Sequence, residues 1–360
     1  MVPRQIALYP HDGNRETRVG VGDFGAALSV TIDDVAMAAE VSIRTVSRVL
    51  NESPNVGDET RKRVLETIAR LGYAPSTRAR ALASGRSFLI AMVQDDPNAH
   101  VIGPLQRGIV EACSSHGYEL VVRPVRFDNP DVAADVETFV RRSRVDGLIV
   151  LPPASEIAAI PERLTRLGVP SVGIASVSVP EYPCMLVSNE RGASRALGQH
   201  LKALGHQRIA MIEGPPHFRS AQERKAGFLE GIGGAMPEAY LQKGDYGFES
   251  GLVAAEALLS LDQPPTAIFA GNDIMAAAVV KTARERGVAI PEQLSVVGFD
   301  DSDIASIITP ALTTIRRPLV DMAQAATERL LEMINGKRLN WPQEPIDLTL
   351  MHRQSVSSPR

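Results

Sequence analysis

Three amphipathic segments near the start of the chain place the tightest constraint on its fold. The first begins at Thr31, whose hydroxyl can cap a helix, and acidic residues follow in the first turn, where the helix dipole favours them. Ser42 can cap a second helix that ends at Leu50, and a third is predicted over Asp58–Leu71 with Gly72 as its stop. The inward residues of the third helix are predicted to be Val64, Leu65, Ile68 and Leu71. The pattern therefore predicts a small three-helix domain.

The second of these helices has one apolar and one polar face. Arg44, Ser47 and Arg48 share a side through their i, i+3 and i+4 spacing. Two short helices joined by a tight turn, the second one polar, are typical of a helix-turn-helix DNA-binding domain. Arginine can pair with guanine through two hydrogen bonds, and hydroxyl groups can reach bases or phosphates. From the pattern alone, a three-helix bundle with a solvent-exposed polar face is an equal alternative.

The identity of the residues favours DNA binding over that alternative. The runs TIDDVA at 31–36, VSIRTVSRVLN at 41–51, LGYAP at 71–75 and ARAL at 79–82 resemble the lactose/galactose repressor family of bacterial transcription regulators. One departure is Glu40, at the turn between helices where that family often has glycine. The resemblance implies a DNA-binding domain at 30–76, a hinge helix or linker at 77–87 and an effector-binding and dimerisation domain at 88–360. Residues 1–29 are expected to be a disordered extension.

The resemblance also implies which residues contact an operator. Leu82 stands at the family's wedge position, where an apolar side chain enters the minor groove and kinks the DNA. A plain linker with an incidental leucine is the alternative for that position. The DNA-binding residues implied are Thr31, Ser42, Ile43, Arg44, Thr45, Ser47, Arg48, Asn51, Asn55, Thr60, Tyr73, Ala79 and Leu82.

The remainder of the chain alternates short apolar runs with helical segments, which is typical of a doubly wound α/β fold. Glycines 117, 168, 205 and 287 each follow a helical segment, as expected of C-terminal caps. About 270 residues exceed what one sheet of this kind needs, so two sheets are predicted. Strands are predicted at Phe88–Gln94, Tyr118–Val125, Gly147–Leu151, Ser171–Ile174, Met185–Ser188, Arg208–Glu213, Ala267–Ala270 and Ser295–Phe299.

The family resemblance implies that these strands form a two-lobed, periplasmic-binding-protein-like domain. The first lobe would take roughly residues 88–187 and 319–346, and the second roughly 188–315 and 347–355. A ligand would then lie in the cleft between the lobes. The predicted fold class is thus an N-terminal three-helix helix-turn-helix domain plus an α/β two-lobed domain.

Polar side chains that follow predicted strands are candidates for effector binding, because ligands meet the carboxyl ends of parallel strands. Carboxylates, amides and a guanidinium suit vicinal hydroxyl groups, so a sugar is the expected effector. Asp273 and Asp301 are expected to hold loops instead, and Asp96 could do either. The effector-binding residues implied by the residues and the resemblance are Asp95, Arg224, Tyr246, Asn272, Asp300 and Arg317.

Two departures from the family weaken the expectation of a neutral sugar. Ala175 stands where relatives commonly carry an aspartate, and Ser176 is a weak substitute for it. Arg317 stands where some relatives carry a neutral amide, which adds positive charge. An acidic or phosphorylated sugar is therefore an alternative effector.

Composition narrows the remaining classes of function. The chain carries a net charge of -4, with nine basic against seven acidic residues over 30–87 and 26 against 32 from residue 88 onward, which fits DNA binding at one end. Cys113 and Cys184 are expected to be buried thiols, with no metal site, no cofactor and no membrane span. No catalytic motif is found, so an enzyme is not favoured. A transporter's solute-binding protein would share the two-lobed body but is expected to carry a signal segment and no DNA-binding domain, and this sequence shows the opposite pattern. The expectation is a cytoplasmic homodimer that binds a near-palindromic double-stranded DNA operator and a small-molecule effector.

Overall fold

The computed structural model separates into two compact units, residues 1–84 and residues 85–360. Four predictions lie outside the residues that it describes: the extension at 1–29, and the DNA contacts Asn51, Ala79 and Leu82. Asp96 and most of the predicted hinge also lie outside them. The described residues are 30–50, 53–73, 85–95, 98–337, 341 and 344–360.

The first unit is a three-helix domain whose start is fixed by a capping box. The Thr31 hydroxyl accepts from the Asp34 backbone N–H at 3.3 Å, and the Asp34 carboxylate accepts from the Thr31 backbone N–H at 2.8 Å. This reciprocal pair satisfies two backbone donors that the helix would otherwise leave unpaired. The helices are α1 (Ile32–Ala38), α2 (Ile43–Leu50) and α3 (Asp58–Leu71). All three agree with the sequence predictions.

One predicted core residue of this domain is wrong. Leu65 is 49% exposed, whereas Thr67 is 5% exposed and donates its hydroxyl hydrogen to the Arg63 carbonyl at 2.9 Å. The buried stripe of α3 therefore runs through positions 64, 67, 68 and 71, and Leu65 lies about 100° round the helix from Val64. Gly72 ends the helix in the left-handed conformation, with φ of 63°, as predicted.

The second unit is an α/β domain, and its described residues form eleven strands. The strands are β1 (Leu89–Gln94), β2 (Glu119–Pro124), β3 (Gly147–Val150), β4 (Ser171–Ala175), β5 (Cys184–Val187), β6 (Ile209–Ile212), β7 (Leu241–Gln242), β8 (Ala267–Ala270), β9 (Ser295–Asp300), β10 (Thr313–Arg316) and β11 (Thr349–Met351). The α-helices are α4 (Ala99–Ser115), α5 (Val132–Ser143), α6 (Ala159–Arg166), α7 (Glu190–Ala203), α8 (Arg219–Ile232), α9 (Phe248–Leu259), α10 (Asp273–Glu285), α11 (Asp303–Ile307) and α12 (Leu319–Ile334). Short 3-10 helices span Ala154–Glu156 and Glu238–Tyr240.

The first lobe is built on a five-stranded parallel sheet in the order β2-β1-β3-β4-β5. Alternate residues of β1 point to opposite faces, so Ile90 and Met92 pack in the cluster that holds α4 and α12, while Ala91 and Val93 pack in the cluster that holds α5 and α6. Both faces of the sheet are therefore covered, which explains the continuous apolar runs of its central strands.

The second lobe is built on a six-stranded sheet in the order β11-β10-β9-β8-β6-β7. All of its strand pairs are parallel except β10 with β11. The eight predicted strands all form, whereas β7, β10 and β11 were not predicted. β7 has only two residues and β11 only three half-exposed or exposed ones, which is too short for a periodicity signal.

The chain crosses between the lobes three times, at 188–189, 317–318 and 346–347. The first and third crossings run side by side: Ile346 N–H donates to the Val187 carbonyl at 2.7 Å, and Asn189 N–H donates to the Ile346 carbonyl at 2.8 Å. The Asn189 side-chain amide also donates to Asp347 at 3.0 Å. These bonds fix the two lobes together along a short two-stranded connection, which is the two-lobed arrangement that the sequence predicts.

A prediction for stability follows from the aromatic centre of the second lobe. The fully buried Phe269 ring lies between Phe228 and Phe299, at centroid distances of 4.7 Å and 6.4 Å. Phe269→Ala should lower the free energy of unfolding by roughly 3–5 kcal/mol, since it removes buried area and leaves a cavity. Urea unfolding followed by far-ultraviolet circular dichroism measures this. Val253→Ala is the control, because Val253 is 73% exposed, and equal midpoints for both variants would contradict the assignment of Phe269 to the core.

Candidate functional site

The structure exposes the polar face of α2 and buries the opposite face. Val46 and Val49 are buried in the domain core, Arg44 and Arg48 are exposed, and Ser47 is half-buried. The fixed apolar side thus orients both guanidinium groups outward, in the way that reading base edges in a major groove requires.

The start of α2 is held by local hydrogen bonds among predicted DNA-binding residues. The Ser42 hydroxyl accepts from the Thr45 backbone N–H at 3.1 Å, and the two side-chain oxygens lie 2.9 Å apart. Ile43 is 47% exposed although it is apolar, so it leaves an accessible side chain at the first position of the helix. Asn55 is exposed and Thr60 is half-buried, on the loop before α3 and in its first turn.

Among the described residues that were predicted to contact DNA, Tyr73 alone lies in the core of its domain. It is 8% exposed and belongs to the apolar cluster of the domain, with Val35 and Val64. Burial also raises the pKa of its hydroxyl. A direct contact between the Tyr73 ring and DNA is therefore disfavoured, and its role in this structure is packing.

Four charged side chains meet in the cleft between the lobes of the second unit. Arg224 donates from Nε to the Glu190 carboxylate at 2.7 Å and lies 3.5 Å from the Asp300 carboxylate through Nη2. Arg317 donates from Nη1 to Asp300 at 3.1 Å, and its Nε lies 3.5 Å from Glu190. We call these four residues the charge cluster. It contains two positive and two negative groups, so it is electrically balanced.

Each member of the charge cluster is placed by a defined element. Glu190 is the first residue of α7, directly after the first crossing, and Arg317 lies at the second crossing between β10 and α12. Asp300 ends β9 with a φ of 110°, a conformation that L-amino acids rarely adopt. Arg224 projects from α8, and its guanidinium lies over the Phe299 ring at 3.7 Å. The Arg224 Nη1 donates to the Gly271 carbonyl at 2.5 Å.

Electrostatics keep Glu190 and Arg224 ionised although both are buried. Burial by itself would raise the pKa of Glu190, but the charges of Arg224 and Arg317 outweigh it and leave that pKa lowered. Burial would likewise lower the pKa of Arg224, and the charge of Glu190 more than compensates, so that pKa is raised. Paired burial of this kind is stable only when both partners are present, because either one alone would be an uncompensated charge.

Sequence reasoning missed Glu190, although it touches both arginines. A glutamate in the first turn of a helix is usual, because the helix dipole favours it, so nothing in the local pattern marks this one as part of a site. Its position immediately after a lobe crossing is the signal that could have identified it.

The other predicted effector residues are partly engaged by the protein itself. Asp95 accepts from the Phe127 backbone N–H at 2.6 Å. The Asn272 side chain caps α10 by accepting from Met275 N–H at 2.9 Å and donates to the Tyr246 carbonyl at 2.9 Å. Asn272 therefore retains one N–H for a ligand, and Asp95 one oxygen.

Two neighbouring aspartates hold loops, as predicted. Asp273 accepts from the backbone and hydroxyl of Ser302, at 2.7 Å and 2.9 Å, and from the Thr314 hydroxyl at 2.6 Å. Asp301 pairs with Arg316 at 2.6 Å and with Arg353 at 2.5 Å. Both carboxylates are thus occupied by partners within the protein, and these contacts fix the strand ends around the charge cluster.

The cleft contains a small polar cavity and a larger apolar one. The polar cavity, of about 30 Å³, is bounded by the charge cluster together with Ser176, Ser220 and Asn98. The apolar cavity, of about 580 Å³, shares Asn98, Phe218 and Tyr246 with it and adds Phe248 and other residues. A ligand that reached both would place polar groups at the cluster and a ring against aromatic side chains. We call the larger space the aromatic cavity.

Two contacts join the lobes across the cleft. The Phe127 ring of the first lobe stacks on the His217 ring of the second, with centroids 5.2 Å apart. The Arg219 backbone N–H, at the start of α8, donates to the Glu156 carboxylate at 3.4 Å. Burial raises the pKa of Glu156 from 4.5 to about 7, and the nearby Glu190 charge adds to that effect. The cleft is therefore closed in this structure.

In the described part of the chain, the cysteines and His206 have structural surroundings, and no metal site is found. There, no group of three histidine, cysteine or acidic side chains could hold a metal ion. Cys113 and Cys184 are both buried and free, as predicted. His206 is structural, since its ring nitrogens lie 2.9 Å from the Thr266 hydroxyl and 2.9 Å from the Ser357 carbonyl. No helix within these residues is both long and apolar enough to cross a membrane.

A helix-turn-helix domain followed by a two-lobed α/β domain with a polar cleft defines the class of ligand-responsive DNA-binding regulators. The family model described as bacterial regulatory proteins, lacI family, matches residues 31–76. The model described as periplasmic binding protein-like domain matches residues 199–356. The chain belongs to the lacI family of bacterial regulatory proteins, which confirms the resemblance found in the sequence.

Similar proteins extend this match over nearly the whole chain. Catabolite control protein A of Priestia megaterium is 35% identical over 323 residues, covering 87% of this chain and 95% of that protein. The HTH-type transcriptional repressor CytR of Escherichia coli (strain K12) is 30% identical over 333 residues, covering 91% and 96%. A Lac repressor dimer bound to operator and the anti-inducer ONPF has a TM-score of 0.78, with 30% identity and coverage of 91% and 99%. The transcriptional regulator CelR in complex with cellobiose has a TM-score of 0.66, with 29% identity and the same coverage.

A prediction for pH dependence follows from Glu156. In the unfolded chain its carboxyl ionises near pH 4.5, and in the folded protein only near pH 7, so the free energy of unfolding falls between those values and is constant above them. Glu156→Gln should remove this loss, and between pH 5 and pH 8 the wild type should lose on the order of 1 kcal/mol relative to the variant. Urea unfolding at both pH values tests this. Glu162→Gln is the exposed control. The prediction would be contradicted if Glu156→Gln lost as much free energy of unfolding between pH 5 and pH 8 as the wild type does.

Proposed function

We propose that the protein is a sequence-specific transcriptional repressor whose operator binding is controlled by a small molecule in the interlobe cleft. The observation that carries this proposal is the outward guanidinium face of α2 in a chain that also contains a closed, polar cleft. Its relatives are named as transcriptional repressors and a control protein, which supports the same conclusion.

DNA binding is proposed from the exposed polar face of α2. Arg44, Ser47 and Arg48 would read base edges in the major groove, and Thr31, Ser42, Ile43, Thr45, Asn51, Asn55 and Thr60 would contact bases or the backbone beside them. Two copies would bind two half-sites of a near-palindromic operator, since a two-fold dimer matches a two-fold site. The Lac repressor structure bound to operator is a dimer, which supports this stoichiometry. Ala79 and Leu82 would act at the centre of the operator, where Leu82 kinks the minor groove.

The effector would bind in the cleft, and a sugar is the proposed ligand. Arg224, Asp300 and Arg317 would bind hydroxyl groups, with Asn272 and Asp95 contributing their remaining donor and acceptor. Tyr246 would offer its ring to the apolar face of the sugar. CelR, which has a similar structure, is solved as a complex with cellobiose.

Effector binding would act on DNA binding through the angle between the lobes. The three crossings form a hinge, and a ligand with different affinities for the open and closed cleft shifts the equilibrium between them. In a dimer, that shift would change the spacing of the two segments at 77–87 and so the affinity for the operator.

The alternatives of a solute-binding protein and an enzyme are less well supported. A solute-binding protein has the two-lobed body without a reading helix such as α2. Enzymatic function has no support from the relatives, which are named as regulators. We place the protein in the cytoplasm, where its operator would lie.

The first prediction of this proposal concerns Arg48. Arg48→Ala should weaken binding to an operator, selected from random DNA by the wild-type protein, by roughly 5- to 150-fold, because a bidentate arginine–guanine pair contributes about 1–3 kcal/mol. Gel-shift titration at one fixed salt concentration measures this. Arg70→Ala, an exposed arginine on α3, is the matched control. Equal affinities for wild type and Arg48→Ala would exclude Arg48 from base reading.

The second concerns the effector. A sugar at about 100 times its Kd should stabilise the protein by about 2.7 kcal/mol, so a thermal-shift screen can identify it. Asp300→Asn should then raise the sugar concentration needed to change operator binding at least about tenfold, because a charged hydrogen-bond acceptor is lost. Operator affinity without sugar should be unchanged, and Asp262→Asn in an exposed loop is the control. An unaltered dose–response for Asp300→Asn would remove Asp300 from the effector site.

A further inference from the structure

The charge of the effector can be inferred from the charge cluster, and this inference rests on the proposed function. We propose that Glu190 is an internal counter-ion that restricts the cleft to uncharged, hydroxyl-rich ligands and excludes sugar phosphates and sugar acids. The sequence suggested the opposite alternative, because Arg317 adds a guanidinium to the site. Glu190 changes that conclusion, since it contacts Arg317 as well as Arg224.

Both guanidinium charges are already balanced by carboxylates, although each side chain keeps N–H groups for a ligand. Arg224 uses all three of its nitrogens, on Glu190, the Gly271 carbonyl and Asp300. Arg317 is paired with Asp300 through Nη1 and lies within ion-pair distance of Glu190 through Nε. A phosphate or carboxylate arriving at this site would either displace a paired carboxylate or remain beside it as an uncompensated negative charge.

Burial makes such a displacement unfavourable. The exposed fractions of the four side chains are 0% for Glu190, 4% for Arg224, 6% for Asp300 and 7% for Arg317. A fifth charge in this environment would be poorly solvated and would leave the site with a net negative charge. A displaced Glu190 would also lose its hydrogen bond from the Ser188 hydroxyl at 3.1 Å.

The two carboxyl groups next to the cluster add little charge of their own at neutral pH, because burial raises the pKa of Asp273 and of Glu156 to about 7. Asp273 lies close enough to Asp300 for their charges to interact, and Glu156 is in the same relation to Glu190. Neither neighbour offers a cation that could pair with an anionic ligand. These partly ionised carboxyl groups therefore add only weakly to the repulsion of an anion.

The groups that remain available suit hydroxyl groups. The Ser176 hydroxyl and the Arg317 Nε–H are buried and have no hydrogen-bond partner among the described residues. A ligand hydroxyl can accept from the Arg317 Nε–H and exchange a hydrogen bond with Ser176. The aromatic cavity next to them accommodates the apolar face of a sugar ring. A serine hydroxyl and an N–H of a guanidinium whose charge is already balanced, beside aromatic side chains, suit a neutral sugar.

The experiment compares each sugar with its own charged derivatives on the full-length protein. The probes are glucose, galactose, ribose and cellobiose, with glucose 6-phosphate, ribose 5-phosphate, glucuronate and galacturonate as anionic counterparts. Thermal shift identifies binders, and isothermal titration calorimetry gives their Kd. We expect at least one neutral sugar to bind, with each of its anionic derivatives at least about tenfold weaker. Equal or tighter binding of a phosphate or an acid overturns the inference and leaves the proposed function standing.

Charge variants test the part assigned to Glu190. Glu190→Gln leaves one guanidinium uncompensated, so the preference for neutral over anionic sugar should fall at least about tenfold. The double variant Glu190→Gln/Arg317→Gln is balanced again and should regain the preference. Glu230→Gln, which removes a carboxylate paired with exposed Arg191, is the matched control and should change nothing. An unchanged preference in Glu190→Gln overturns the assignment.

Two further outcomes keep the test decisive. If Glu190→Gln does not fold, Arg317→Gln leaves the cluster with one extra negative charge and should discriminate more strongly against anions. Weaker discrimination in Arg317→Gln than in the wild type would overturn the inference. If neither class of sugar binds the wild type, the proposed sugar effector fails, and the inference fails with it.

Discussion

The buried pairing of Glu190 with Arg224 and Arg317 is the interaction on which the second unit depends. Two of its members stand beside lobe crossings, Glu190 after the first and Arg317 at the second, so the pairing links those two crossings through their side chains. Removal of any member would leave a buried charge without its partner, which costs far more than the loss of a surface ion pair. The cluster therefore connects the geometry of the hinge to the chemistry of the cleft.

The sheets supply the rest of this geometry. Asp300 ends β9, and Gly271, whose carbonyl binds Arg224, directly follows β8, so neighbouring parallel strands deliver both to the same edge. The strained φ of Asp300 is retained because Asp273 and Asp301 fix the adjoining loops through Ser302 and Arg353. Rigid strand ends thus present the cluster, while the crossings remain the only covalent links that lobe closure must bend.

Sequence patterns predicted most helices and strands but not which distant side chains contact each other. The eight strands were predictable because buried parallel strands are short apolar runs, and α1 was predictable because its capping box is local. Leu65 was misplaced because two adjacent apolar residues cannot both lie on one narrow stripe. The part of Glu190 in the cleft and the burial of Tyr73 were not predicted, for a different reason. The environments of both residues are set by side chains distant in sequence. The local sequence around Glu190 or Tyr73 therefore does not show whether the side chain is buried or exposed.

Contacts between distant residues also explain why sequence and structure lead to different conclusions about the charge of the effector. Arg317 alone adds a positive charge, and a count of charged residues near the cleft would favour an anion. Pairing decides the matter, because Glu190 cancels that charge at a distance that sequence cannot show. Charge is also divided unevenly along the chain: the acidic excess from residue 88 onward disfavours contact with phosphates, whereas the small basic excess over 30–87 favours it.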